Sequence, residues 1–393
     1  MPESKLTVAE RHPTGPRRVT LLELFFDLVF VVALALVSDG LAQRISWDGV
    51  AHAVILLMAI WWVWWITVLV TNFYDPRRSA MQWLTIGVTF GSLLLAATIP
   101  RAFDRLGLGF AAVYVAIHLG RGTYLLVALR GRHLQLRHRR IVLWFSLSAA
   151  AWLIGGVVAH HPWQLVLWTL ALGIDYTGGK LGYPVPGMGR IPPGQYTVTA
   201  EHLAERYQQF FIIALGNAVL VTGGTYSRTD LDLGETLAFV LSFAVTALLW
   251  RLYVHRAGEV LSGAIERTRR RERLVATAPI TQMAMVVGVA LMAAGFAALI
   301  HDPWQDNAPA RAAIVLGGPA LFLLGRARFE YEVFGRVSPN RIVGLALLGV
   351  AALLPRTIPL LTALSVALIL GGIAARDTMR SRGRPPEQPN PPH

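Results

Sequence analysis

The sequence predicts an all-α fold, a polytopic transmembrane helical bundle of about twelve spans arranged as two parallel six-helix repeats. Two observations carry the membrane part. Hydrophobic residues make up 54% of the 393 and charged residues only 15%, a balance more apolar than that of ordinary soluble domains. Apolar runs recur from one end of the chain to the other, and about 20 helical residues suffice to cross a hydrocarbon layer of roughly 30 Å. The third observation, internal similarity between the halves, carries the repeat.

Hydropathy places twelve candidate helices at about 19–38, 49–73, 79–99, 108–129, 140–159, 162–177, 200–223, 234–256, 275–300, 309–325, 341–355 and 357–376. The sixth and eleventh are short for a full crossing. The eleventh meets Pro355 early, which leaves an eleven-span or re-entrant arrangement open. The chain divides accordingly into a cytoplasmic N-terminal segment 1–18, a first six-helix repeat 19–177, a Gly/Pro-rich linker 178–199, a second repeat 200–376 and a disordered cytoplasmic tail 377–393. The first eighteen residues are polar and precede a run without a small-residue cleavage site, so no cleaved signal peptide is expected.

The formal net charge of +13 could suggest nucleic acid, but the basic residues sit in short clusters between apolar runs. Topology accounts for them better. Alternate loops are rich in Lys and Arg, from Arg17 and Arg18 through Arg77 and Arg78, the cluster Arg130 to Arg140, and the run Arg267 to Arg273, to Arg380 and Arg382 near the end. The intervening loops hold only Arg44, Arg101, Arg105, Arg228, Arg311 and Arg356. By the positive-inside rule both termini are then cytoplasmic, and the chain is expected in the bacterial inner membrane with the lipid bilayer as its main partner. There is no cysteine, so disulfide and thiolate chemistry are excluded. The sequence does not address the oligomeric state.

The repeat rests on three matches in the same order. Phe30-Val-Val-Ala-Leu in the first helix resembles Phe211-Ile-Ile-Ala-Leu in the seventh. "GRGTYLLVALR" resembles "GPALFLLGRAR", and "RIVLWFSLSAAAWL" resembles "RIVGLALLGVAALL". Six helices per unit is an even number, so the two units would share one orientation about an axis along the membrane normal.

An ionisable side chain in a membrane helix costs about 2.5–3.5 kcal/mol at mid-bilayer, so each one needs a reason. Thr20 and Glu23 form a capping-box pattern, in which the hydroxyl takes one early amide and the carboxylate returns to another. Asp27, one turn deeper, lies beyond the reach of capping; it reads either as a buried or pathway-lining acid or as a helix-to-helix hydrogen bond. His118 and Arg121 share one face of the fourth helix at mid-span, and the buried Arg needs an acid, for which Asp27 is the first candidate and Glu23 the second. That pair reads equally as a structural bolt or as part of an ion or proton relay.

The seventh helix opens with Glu201, His202, Glu205 and Arg206 and carries Asn217 deeper in. The charges either decorate the cytoplasmic mouth or line a pathway; Asn217 suits a neutral ligand or an interhelical hydrogen bond. Asn72, Asp75 and Asp175 fall near predicted helix ends, where turn and cap chemistry explains them. Arg251 and His255 end the eighth helix, where snorkelling to the inner surface is the default. Trp61, Trp62, Trp64 and Trp65 lie around the middle of the second helix and read first as packing, second as an aromatic wall. Gly87 and Gly91, four apart, permit close helix approach.

No catalytic motif, metal-ligand spacing or phosphate loop is found, so no metal and no cofactor are expected; His160 and His161 lack acids at ligand spacing. Transport of an ion, a proton or a small solute is the leading functional expectation. The alternatives are a membrane-embedded enzyme on a lipid-linked substrate, with Glu23 or Asp27 as acid or base and Arg121 holding an anionic head group, and a non-transporting sensor or assembly protein.

"LELFFDLVFVVALALV", "TNFYDP", "GYPVPGMGR", "HLAERYQQFFIIALGNAVLVTGG" and "GGPALFLLGRARF" together resemble the bacterial low temperature requirement A proteins, in that family's order and over most of the chain. The resemblance implies a multi-pass membrane protein associated with growth in the cold, with no agreed biochemical activity. The family usually has Glu after the Gly at position 216; this chain has Asn217.

Overall fold

A computed structural model describes residues 19–158, 162–192, 199–254, 263–264, 271–304, 309–353 and 358–382. The expected N-terminal segment, most of the tail, His160, His161, His255 and much of the 267–273 basic run lie outside the described residues. The described residues form twelve α-helices: α1 Leu21–Gln43, α2 Trp47–Phe73, α3 Ser79–Thr98, α4 Gly107–Ala128, α5 Gln135–Val158, α6 Trp163–Leu181, α7 Ala200–Tyr226, α8 Leu233–Val254, α9 Arg271–His301, α10 Pro309–Phe334, α11 Pro339–Leu353 and α12 Pro359–Ser381. No strand occurs among them, only an isolated bridge between Val185 and Gly189.

Ten of these helices are long and apolar enough to cross a membrane. α6, with 19 residues, and α11, with 15, are not among the ten. These are the two elements whose length the sequence marks as marginal. Helix ends depart further from the apolar runs: α1 continues to Gln43, α5 begins at Gln135 and α10 runs on to Phe334. Hydropathy stops where charges begin, but the helix does not, because the charged turns find partners. Arg137 lies 4.1 Å from the ring centre of Phe73, and Arg341 holds Glu330 at 3.1 Å.

Local chemistry sets several boundaries. Pro opens α10, α11 and α12, where its missing N–H is not needed. Asp232 and Glu235 cap α8 reciprocally at 2.7 and 2.9 Å. α6 ends at Gly182 in the left-handed region, φ 75°, with its N–H returned to the carbonyls of Gly178 and Gly179.

The chain folds as two compact units, Met1–Leu36 with Val54–Leu203, and Val37–Ala53 with Ala204–His393. In the first, α4 packs on α3 and α5, and α5 on α6. Most of the apolar stretch of α2 is buried inside the protein, and all four indoles of its tryptophan run are buried with it. In the second unit α9 is similarly buried, and α9 and α10 pack most extensively. Glycines seven apart on each helix make this possible: a Cβ on Gly288 would lie 2.6 Å from the Gly318 carbonyl oxygen, and one on Gly325 2.6 Å from Met285. In α3 a Cβ on Gly91 would meet Ile117 at 2.8 Å, whereas Gly87 faces open space, so one glycine of that pair makes the close approach. α1 is two-sided, with Phe25, Leu28 and Val32 exposed along one stripe and Phe26, Phe30 and Leu34 buried on the other.

Candidate functional site

The first turn of α1 is the capping box that the sequence predicts. The Thr20 amide and hydroxyl donate to Glu23 Oε2 at 2.9 and 3.0 Å, and the Glu23 amide reaches the Thr20 hydroxyl at 3.4 Å. The second carboxylate oxygen does something else. Glu23 Oε1 lies 2.8 Å from His202 Nε2, and both side chains are 0% exposed. Glu23 is therefore more than an interfacial cap.

The rest of this centre fixes the imidazole. The Asn72 carbonyl oxygen accepts the Thr199 amide at 2.9 Å, which orients the Asn72 amide so that its NH₂ faces Thr199 O at 3.3 Å and His202 Nδ1 at 3.0 Å. An NH₂ group only donates, so Nδ1 accepts and the ring proton sits on Nε2, directed at Glu23. The arrangement is a buried carboxylate, a neutral imidazole and a backbone-anchored amide. Chemically it can hold a cation or take up a proton, the second at the cost of reorienting Asn72.

One turn deeper, Asp27 is buried and accepts the Trp64 indole N–H at 2.9 Å. Across the first unit, Arg121 donates to the Thr67 hydroxyl and to His118 Nδ1, each at 2.9 Å. The sequence offers Asp27 as the acid for Arg121, but the guanidinium has no carboxylate at ion-pair distance among the described residues; its hydrogen bonds run to Thr67 and His118. The line continues along the same face of α4. Tyr114 and His118 lie with ring centres 4.5 Å apart, and the Tyr114 hydroxyl donates to Asp175 Oδ2 at 2.9 Å, joined by the Trp152 indole at 3.3 Å. Two buried polar atoms in this line, His118 Nε2 and Asp175 Oδ1, have no hydrogen-bond partner among the described residues. Asp175, read from sequence as end-of-helix chemistry, is in fact buried within the first unit.

In the second unit, the Asn217 amide donates to the Ser38 hydroxyl at 3.1 Å, and Ser38 donates to the Ala290 carbonyl at 3.2 Å. Asn217 thus makes an interhelical hydrogen bond, one of the two roles the sequence leaves open for it. Arg206 is fully buried and reaches Gln209 at 3.4 Å, whereas Glu201 is exposed and Glu205 half-buried. Arg341 bridges Glu330 and Asp377 at 3.1 and 2.7 Å, with Asn340 bonded to the same Asp377 at 2.8 Å. No three His, Asp or Glu side chains among the described residues converge as a metal site requires.

Sequence reasoning therefore finds Glu23, His118 and Arg121 but misses Asn72, Trp64 and Thr67 as their partners or as partners of Asp27. It names His202 only as one charge among four. One sequence signal bears on His202: Glu23 and His202 stand 179 residues apart, near the low end of the offsets of about 180 to 200 that the repeat expectation uses.

An uncharacterised protein of Rhizobium meliloti (strain 1021) is 32% identical over 353 residues, which cover 88% of this chain and 86% of that protein. No solved structure matches the chain. The description of bacterial low temperature requirement A protein matches residues 18–375, and the chain belongs to that family.

Proposed function

We propose that the chain is a multi-pass transport protein of the bacterial inner membrane, moving protons, another monovalent cation or a small solute coupled to them. The observation that carries this reading is the Glu23–His202 contact, an acid and an imidazole 2.8 Å apart with no exposed surface, where the first turns of two apolar helices meet. Such groups are costly to place among apolar helices and concentrate at ion and proton pathways. The line Asp175–Tyr114–His118–Arg121–Thr67 supports it, because it sets ionisable groups one turn apart along α4.

The repeat suggested by the sequence would fit the same reading. Glu23–His202 and Ser38–Asn217 are both separated by 179 residues, so α1 and α7 meet in one register near their starts and again four turns on. That is how the first helices of two parallel repeats would meet. The alternation of basic and non-basic loops favours both termini on the cytoplasmic side.

Purified protein in liposomes tests the reading, with proton and monovalent-cation flux measured for wild type, Glu23→Gln, Asp27→Asn and Arg121→Gln. Flux of one ion in the wild type, and its loss in Glu23→Gln, is expected. No flux of any tested ion from protein with intact helices would sink the ion-coupled version.

A further inference from the structure

The far ends of α1, α7 and α9 enclose, with the start of α10, an open cleft of about 500 Å³ in the second unit. That volume lies within the ordinary range of small-molecule sites. Its walls bring together both signs of charge: Asp39 and Asp302 on one hand, Arg228 and Arg311 on the other, with His301 and Thr225 between. Two of each sign leave the cleft without a net preference for anions or cations. The helices add a polarity of their own. Three of them present C-terminal ends, where carbonyls favour a cation, and α10 presents its N-terminal end, which favours an anion and carries Arg311 in its first turn.

The cleft also has unused hydrogen-bonding capacity. Arg311 holds Asp302 loosely, at 3.8 Å, and its Nε is buried without a partner. A polar side chain left unsatisfied in the interior costs about 1–3 kcal/mol, and its persistence beside a cavity calls for something that satisfies it.

We propose that this cleft binds a small zwitterionic solute of the amino-acid type, its carboxylate toward Arg311 and Arg228 and its ammonium toward Asp39 and the helix C-termini. As the solute site of a transporter it rests on the transport reading. Binding itself does not, because it is measured without flux.

The test uses full-length protein in lipid nanodiscs and equilibrium binding of L-alanine and L-glutamine, each beside the amine that lacks its carboxylate and the acid that lacks its amino group. Saturable binding of an amino acid, at least about tenfold or about 1.4 kcal/mol tighter than either truncated analogue, is expected. Arg311→Gln should weaken the amino acid by a similar factor and leave the amine unchanged; Asp39→Asn should do the converse with the acid. Thermal melting of both variants checks that they fold. If neither amino acid binds, if a truncated analogue binds as tightly as its parent, or if folded Arg311→Gln binds undiminished, the proposal fails. A Glu23→Gln protein that no longer transports but still binds would leave it standing.

Discussion

Glu23 divides its carboxylate between two tasks, one oxygen closing the α1 cap and the other meeting His202. The two tasks separate experimentally. Thr20→Ala removes the cap hydroxyl and leaves His202 in place, so it should lower stability by about 1 kcal/mol while transport persists. Denaturant unfolding in detergent and liposome flux measured on the same preparation check this, and flux lost at Thr20→Ala would tie function to the cap instead. The cap is legible in the sequence because its partners are three residues apart. The His202 contact is not, because nothing local distinguishes it from Glu201 or Glu205, one exposed and the other half-exposed on the same turns. Asn72 and Asp175 mislead in the same way: they stand where turn residues stand, and only the packing of other helices shows that their side chains are bonded inward.

Helix identity is the most legible feature of the elements, since an apolar run long enough to span lipid has few other uses. Helix length is less so. α5 and α10 outrun their apolar segments because their charged turns find partners that hydropathy does not see, Arg137 of α5 against Phe73 and Glu330 of α10 against Arg341. The tryptophan run of α2 is a related case. Four indoles around one helix suggest that some face lipid, yet all are buried, as is most of the apolar stretch of α2, and Trp64 bonds Asp27. Packing between α9 and α10 depends on what is missing from their side chains. Gly288→Ala would place a methyl 2.6 Å from the Gly318 carbonyl, a backbone atom that cannot swing aside. A loss of about 1–3 kcal/mol is expected, against less than about 0.5 kcal/mol for Gly317→Ala, which faces open space. Unfolding midpoints of the two variants compare them directly, and equal values would remove the close approach as a source of stability.

Across the molecule, family membership and a multi-helix membrane fold were accessible from motif order and composition, because both are spread over the whole chain. The candidate site is legible only in part. Its members come from α1, α2 and α7, and a sequence without that geometry gives Glu23 no reason to prefer one distant histidine. What the structure adds is the shared separation of 179 residues in the two contacts Glu23–His202 and Ser38–Asn217. If the first of these contacts carries transport, Glu23 and His202 act as one unit. The most direct measurement is initial proton flux in liposomes for Glu23→Gln, His202→Gln and the double variant at matched protein content. Acting together, they predict a double variant no slower than the more damaged single. Losses that multiply, or a single variant that transports at the wild-type rate, would contradict it.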